Sequence, residues 1–301
     1  MKFLFERSND MKITKAVIPC GGMGTRFLPI TKAVPKEILP VIDTPVLAHI
    51  VNEAVNSGIT DIMIVLPHGK AAIKEYFAPN AKLEDALSKA GKTEFLQIVK
   101  NTYSNANIVF GLQEKPLGSA DAVAKAKPFT GEEPFCLAWG DDLICAEKPV
   151  MGQLSKAYEN CGTGIIGVQT WAGDDIVRYG VADVDKTPTF DGRLYNCRGI
   201  VEKPPIDKLP SRLAALGRYV LTRDVYAYIE KTTPGKGGEL QLTDTLNMMC
   251  EDGKMYVYDF EGKRYDMGDK FGAVQATVEY ALKGPFKDEM REYIKRLAKT
   301  L

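Results

Sequence analysis

Between Lys15 and Trp139 the chain alternates short β-branched runs with stretches of helical period, and this narrows the fold more than any other feature. Lys15–Pro19 (KAVIP), Asp61–Leu66 (DIMIVL), Asn107–Gln113 (NIVFGLQ) and Phe135–Trp139 read as buried strands. Between them, Pro45–Asn56 places Val46/Leu47, Ile50/Val51 and Ala54/Val55 at a 3.6-residue spacing, with Asp43 or Thr44 as N-cap and Gly58 near the stop. Lys70–Phe77, Leu83–Ala90 and Ser119–Lys125 read as further helices. Strands of this kind, separated by helices, predict a parallel sheet covered on both faces, hence an α/β fold.

After residue 160 the pattern changes. Gly164–Thr170, Val181–Asp185 and Leu194–Val201 are strand-like runs divided by turn residues, suggesting a mixed or antiparallel extension. Helix returns at Thr222–Glu230 and Leu240–Cys250, and Lys254–Phe260 is a last long strand. Phe286, Met290, Tyr293, Ile294, Leu297 and Leu301 mark a terminal amphipathic helix. Residues 1–11 read as a leader outside the core, and 12–301 as one domain.

Composition removes several classes. Lysine plus arginine and aspartate plus glutamate balance at 39 each, so no global field collects nucleic acid or anionic membrane. No apolar run approaches the ~18 residues of a membrane span. Six cysteines without a C-x-x-C pair, two histidines and no N-x-[ST] sequon point to a reduced, cytoplasmic setting. His49 and His68 read as packing or surface residues.

The densest local signal is Cys20–Pro40, CGGMGTRFLPITKAVPKEILP. Gly21, Gly22 and Gly24 let the backbone turn and bring N–H groups to a ligand, while Arg26 and Lys36 add positive charge. A triphosphate cradle and an ordinary glycine-rich turn with solvated cations both fit these residues alone. The dinucleotide fingerprint fails because Phe27 stands at its third glycine. The GKT at Gly91–Thr93 has Ala86 where a P-loop needs its first glycine, and reads as a helix end.

G-G-x-G-T-R-x-x-P-x-T (Gly21–Thr31) followed by P-K-E-x-L-P (Pro35–Pro40) resembles the signature of the sugar-1-phosphate nucleotidyltransferases. The T-K-A-x-P-K-E form is similar to the bacterial uridylyltransferase branch; thymidylyl and guanylyl relatives usually carry Gln where Glu37 stands. The likeness continues in order through GDD (Gly140–Asp142), RYGV (Arg178–Val181), VEKPP (Val201–Pro205), GRYVL (Gly217–Leu221), ELQLTD (Glu239–Asp244) and GKRYDMGDK (Gly262–Lys270). Cys20 departs from it, where the family usually has Ala.

The resemblance implies a Rossmann-like, mixed but mainly parallel sheet sandwiched by helices, with a small β extension and C-terminal helices. It divides the chain into a nucleotide-binding half (12–160), a sugar-binding half (161–269) and the terminal helices (270–301). It implies UTP and glucose 1-phosphate as substrates, UDP-glucose and pyrophosphate as products, Mg²⁺ as cofactor, and a homodimer or homotetramer. The same reaction with dTTP or another sugar phosphate, and a non-catalytic nucleotide-sugar-binding regulator, stay open. Gly21, Gly22, Gly24 and Thr25 would hold the nucleotide phosphates, with Gln113 and Gly118 at the uracil. Gly180 would offer its backbone to the sugar, Glu202 would accept hydrogen bonds from the sugar hydroxyls, and Lys203 would hold the sugar phosphate. Arg26, Lys36 and Lys203 would neutralise the transferring phosphates, and Asp141 and Asp266 would hold the metal. Because the sugar phosphate is itself an anion, no Ser, Cys or His nucleophile is needed; the barrier is charge. Unit charges ~4 Å apart repel by about 1 kcal/mol in water and about 4 at an effective dielectric near 20.

Overall fold

The computed structural model describes residues 12–185 and 187–300. Residues 1–11, expected as a leader, and Leu301, expected on the terminal helix, lie outside the described residues. The strands, in chain order, are β1 (Lys15–Pro19), β2 (Pro40–Val41), β3 (Thr44–Pro45), β4 (Asp61–Pro67), β5 (Asn107–Gln113), β6 (Phe135–Ala138) and β7 (Asp142–Cys145). They continue as β8 (Gly164–Thr170), β9 (Gly180–Val184), β10 (Leu194–Glu202), β11 (Leu213–Leu221), β12 (Met255–Asp259) and β13 (Lys263–Asp266).

Nine of these form one sheet in the order β5-β4-β1-β6-β11-β8-β12-β10-β9. On β1, Ala16 and Ile18 enter one hydrophobic cluster and Val17 the other, so both faces are covered, as the alternating pattern requires. Parallel pairing joins β5, β4, β1 and β6, and again β8 with β12. The remaining neighbours are antiparallel, which corrects the mainly parallel expectation. The segment joining β9 to β10 is too short for the crossover that parallel neighbours need. Nor is the β region after residue 160 a small extension. It continues the same sheet, and β9 returns to β11 at Val181–Ala214, closing five strands into a ring.

The helix expected over 45–56 runs Val46–Asn56 and buries Val46, Leu47, Ile50, Val51 and Ala54. Its N-cap is Pro45 rather than Asp43 or Thr44, because Thr44 and Pro45 are held extended against Pro40 and Val41. GKT is a corner between two helices: Ala81–Lys89 ends before Gly91, and Lys92 caps Thr93–Ser104. Helices Val150–Cys161 and Lys270–Ala281 complete the covering layers, and Lys287–Ala298 forms the terminal amphipathic helix. No helix among the described residues is long and apolar enough to cross a membrane.

The C-terminal ends of β1, β4, β5 and β6 lie along one edge. There the chain places Cys20–Gly24, Pro67–Lys70, Gln113–Gly118 and Trp139–Asp141, the edge at which open α/β sheets bind ligands.

Candidate active site

Gly21, Gly22, Lys36, Gln113, Gly118 and Asp141 line one cleft of about 550 Å³ at that edge. Gly22 and Gly24 take left-handed backbone, φ +80° and +63°, which a side chain would strain. A Cβ at Gly24 would also press on Thr31 and Lys36, whereas Gly21 has open space beside it. The Thr31 hydroxyl donates to the Gly24 carbonyl at 2.8 Å, pinning the loop. Thr25 opens a single 3-10 turn, Thr25–Phe27, and is exposed.

Lys36 Nζ pairs with Asp141 Oδ2. Burial alone would lower the Lys36 pKa, but the charge and hydrogen bond of Asp141 raise it, so the ammonium stays charged. Behind it, Glu37 is buried and its Oε1 accepts from Lys70 Nζ at 2.6 Å. Lys70 also reaches the Gly21 carbonyl at 3.4 Å, tying the loop to the turn after β4. Cys20 is buried beneath this group, and burial pushes its thiol pKa well up. It packs where Gly140 leaves no room for a Cβ, only 2.5 Å from Cys20 Sγ.

Asp141 and Asp266 converge. A methyl-sized group at Gly268 would lie 3.0 Å from Asp266 Oδ1 and 3.8 Å from Asp141 Oδ2, so the two oxygens are no further apart than those distances combined. Arg26 joins them, Nη1 donating to the Gly268 carbonyl at 3.3 Å. Register brings them together: β13 pairs antiparallel with β7, setting Asp266 opposite Asp142. Asp142 itself is buried, and its Oδ1 accepts from Arg264 Nε at 2.6 Å. Burial pushes its pKa up while Arg264 pulls it down. The backbone carbonyl of Asp142 accepts from Arg218, a fully buried guanidinium that also pairs with Glu53 at 2.8 Å.

At the other end of the cleft, Gln113 Nε2 already donates to Asp121 at 2.9 Å and to the Gly118 carbonyl at 3.1 Å. The base-reading expectation narrows accordingly, since the amide oxygen is left to meet a ligand donor. Gly118 is dictated by crossing chains: a Cβ there would sit 2.4 Å from the Leu240 carbonyl oxygen.

Gly180, Glu202 and Lys203 form a second group, outside the residues lining that cleft. Gly180 pairs with Glu202 across β9 and β10, and a Cβ on it would approach the Glu202 carboxylate to 3.3 Å. Adjacent strand residues point to opposite faces, yet Lys203 Nζ lies 3.3 Å from Glu202 Oε1. A left-handed turn at Lys203, φ +47°, brings this about, with its N–H held by the Tyr179 carbonyl. Tyr219 feels charge from both groups: burial pushes its hydroxyl pKa up to about 12, offset in part by Trp139, with Asp142 and Glu202 adding to the rise. Trp139 lines the cleft and meets the Tyr219 ring edge-on at 6.1 Å.

Sequence reasoning missed Lys70, Glu53, Arg218 and Arg264, and gave no role to Glu239, which lines the cleft. Arg264, Glu239 and Arg218 sit inside quoted motifs, GKRYDMGDK, ELQLTD and GRYVL, so that signal was present; the pairing of Arg218 with Glu53 across 165 residues had none.

The family model described as nucleotidyl transferase matches residues 15–281. UTP–glucose-1-phosphate uridylyltransferase of Bacillus subtilis is 45% identical over 271 residues, 90% of this chain and 92% of that protein. UTP–glucose-1-phosphate uridylyltransferase 2 of Staphylococcus saprophyticus is 45% identical over 95% of this chain and 98% of its own length. Among solved structures, the UTP-bound UGPase from Acinetobacter baumannii aligns with a TM-score of 0.87 at 33% identity, covering 95% of this chain and 99% of that one. A UDP-glucose pyrophosphorylase complexed with UDP-glucose aligns at 0.80 and 32% identity, covering 90% and 100%.

Proposed function

The chain belongs to the nucleotidyl transferase family, and from that premise we propose that it transfers the uridylyl group of UTP to α-D-glucose 1-phosphate. A phosphate oxygen of the sugar attacks the α-phosphorus, the bond to the bridging oxygen breaks, and pyrophosphate leaves with that electron pair. The observation that carries this reading is the convergence of Lys36, Asp141, Asp266 and Arg26 beside the glycine loop. Such a site supplies position and countercharge rather than a nucleophile, which is what joining two phosphate anions requires.

The glycine loop lies open along the cleft for the triphosphate. Lys36 and Arg26 carry the positive charge beside it. The Gln113 oxygen and the Gly118 backbone sit at the far end, where a base would lie. The Glu202 carboxylate accepts sugar hydroxyls, and Lys203, turned beside it, holds the sugar phosphate.

The donor set fits Mg²⁺. Asp141 and Asp266 offer two hard carboxylates, and the described residues hold no group of three or more metal-ligating His, Cys, Asp or Glu. Such a pair leaves most of the shell to substrate oxygens and water. An ion held there by Asp141 and Asp266 would supply countercharge to the phosphates. The six cysteines are unpaired, in keeping with a cytoplasmic site of action. Exposed Phe271, Val274, Tyr293 and Leu297 on the last two helices favour a homodimer or homotetramer; light scattering giving only the monomer mass at micromolar concentration would reject it.

The test of the reaction is a panel of triphosphates against sugar 1-phosphates, read by pyrophosphate release. UTP with glucose 1-phosphate should give the highest kcat/KM. Preference for dTTP or another sugar phosphate would reassign the substrates, and no release with any pair would remove the activity.

A further inference from the structure

We infer that Arg264 is a positioning residue that couples the Asp141/Asp266 carboxylates to the strand carrying the sugar-phosphate groups; this rests on the uridylyltransfer reading above. Arg264 faces both groups at once. On one side Nε and Nη2 donate to a single oxygen of Asp142, at 2.6 and 2.5 Å, and both side chains are about one-tenth exposed. Asp142 follows Asp141 directly and stands opposite Asp266 in the β7–β13 register, so this pair fixes the two-stranded sheet that brings Asp141 and Asp266 together.

On its other side the guanidinium lies over the Tyr179 ring, 5.0 Å from its centre. Tyr179 precedes Gly180, and its carbonyl accepts the N–H of Lys203 at 3.1 Å, the bond that turns Lys203 back toward Glu202. Asp142, in turn, is seated against Gly217, whose left-handed φ of +53° and lack of a Cβ admit the carboxylate; a Cβ would sit 2.1 Å from Asp142 Oδ2. One flat cation therefore spans the two substrate subsites. A lysine places a single ammonium on a flexible stem and cannot both donate twice to one oxygen and hold a delocalised cation over a ring.

Arg264→Met should lower kcat/KM by about 100-fold, the loss typical when reacting groups are displaced by an ångström. The loss should divide unevenly: kcat falls and the KM for glucose 1-phosphate rises, while the KM for UTP stays close to wild type. Arg264→Lys should recover part of kcat. Titration calorimetry of glucose 1-phosphate into enzyme holding a non-transferable UTP analogue reads the same coupling without turnover. A loss of folded protein alone would lower kcat and leave both KM values unchanged.

If Arg264→Met does not fold, Tyr179→Leu keeps the Asp142 pair and removes only the ring. It should raise the glucose 1-phosphate KM roughly 10-fold, the scale of a partly desolvated cation–π contact. Unchanged glucose 1-phosphate KM in Tyr179→Leu, or equal rises in both KM values in Arg264→Met, would overturn the coupling. Wild-type enzyme inactive with UTP and glucose 1-phosphate would instead overturn the reaction assignment.

Discussion

Lys36 Nζ is paired directly with Asp141 Oδ2, although 105 residues separate them in the chain. The lysine best placed to meet phosphate is thus partnered by the carboxylate best placed to meet a cation. On the proposed reading, loading the site would separate them, the ammonium turning to phosphate and the carboxylate to the cation.

Asp141→Asn and Asp266→Asn should each lower turnover by about 10²-fold or more, the usual loss when one preorganised charged group is removed. On the proposal that both carboxylates hold one ion, the double variant should be little worse than either single one. Pyrophosphate release from the four proteins decides this, and losses that multiply would assign the two aspartates separate tasks.

Lys203→Gly should separate catalysis from stability. A non-glycine residue in left-handed backbone costs roughly 1–2 kcal/mol, and Lys203 sits at φ +47° with its side chain 65% exposed. The glycine variant should melt at or above the wild-type temperature while losing about 10²-fold or more in kcat/KM. A stable variant with wild-type turnover would take Lys203 out of the site.

Gly118→Ala should do the reverse. Its Cβ would meet the Leu240 backbone at 2.4 and 2.6 Å, forcing apart the segments that close one end of the cleft. Urea denaturation should show destabilisation of about 1–3 kcal/mol, the range for overpacking, with a raised KM for UTP. An unchanged midpoint would mean that the crossing yields easily.

The pH dependence of stability should include a contribution from His49. Burial lowers its pKa below the ordinary 6.5, against opposing effects of the Val41 carbonyl and Asp43. Its Nε2 is buried without a partner, and its ring packs edge-on against Tyr280 at 5.0 Å. The unfolded chain therefore takes up a proton near 6.5 that the folded one resists. Stability from this source is fully present above that value and declines as pH falls through 6.5 toward the folded-state pKa. Urea midpoints at about pH 7.5 and 5.5 should differ more for wild type than for His49→Leu, and equal differences would reject the contribution.

Legibility in the sequence followed how local each cause is. β1, β5 and β8 begin and end where their β-branched runs do, because each is a continuous apolar stretch bounded by turn residues. β11 was legible only as the motif GRYVL. Its run LAALGRYVL is rich in leucine and alanine and interrupted by Gly217, so its composition does not favour strand, and tertiary pairing with β6 and β8 decides it. The helices Thr93–Ser104 and Val150–Cys161 have no side-chain cap to announce them. At the site, Asp141 and Asp266 stood out through the family resemblance of their motifs, GDD and GKRYDMGDK. The Arg218–Glu53 and Arg264–Asp142 pairs join distant segments, and no one-dimensional pattern records that proximity.

The central place of β11 bears on synthesis at the ribosome. β6 gains its second neighbour only when Leu213–Leu221 arrives, so a nascent chain ending near residue 160 holds β1, β4, β5 and β6 but leaves Phe135–Ala138 an unpaired edge. At ~5–20 residues per second that edge stays open for several seconds, long enough for hydrophobic collapse and for strand pairing between neighbouring chains. The half that carries the glycine loop is thus completed by the half that follows it, and the cleft gains a finished wall only late in translation.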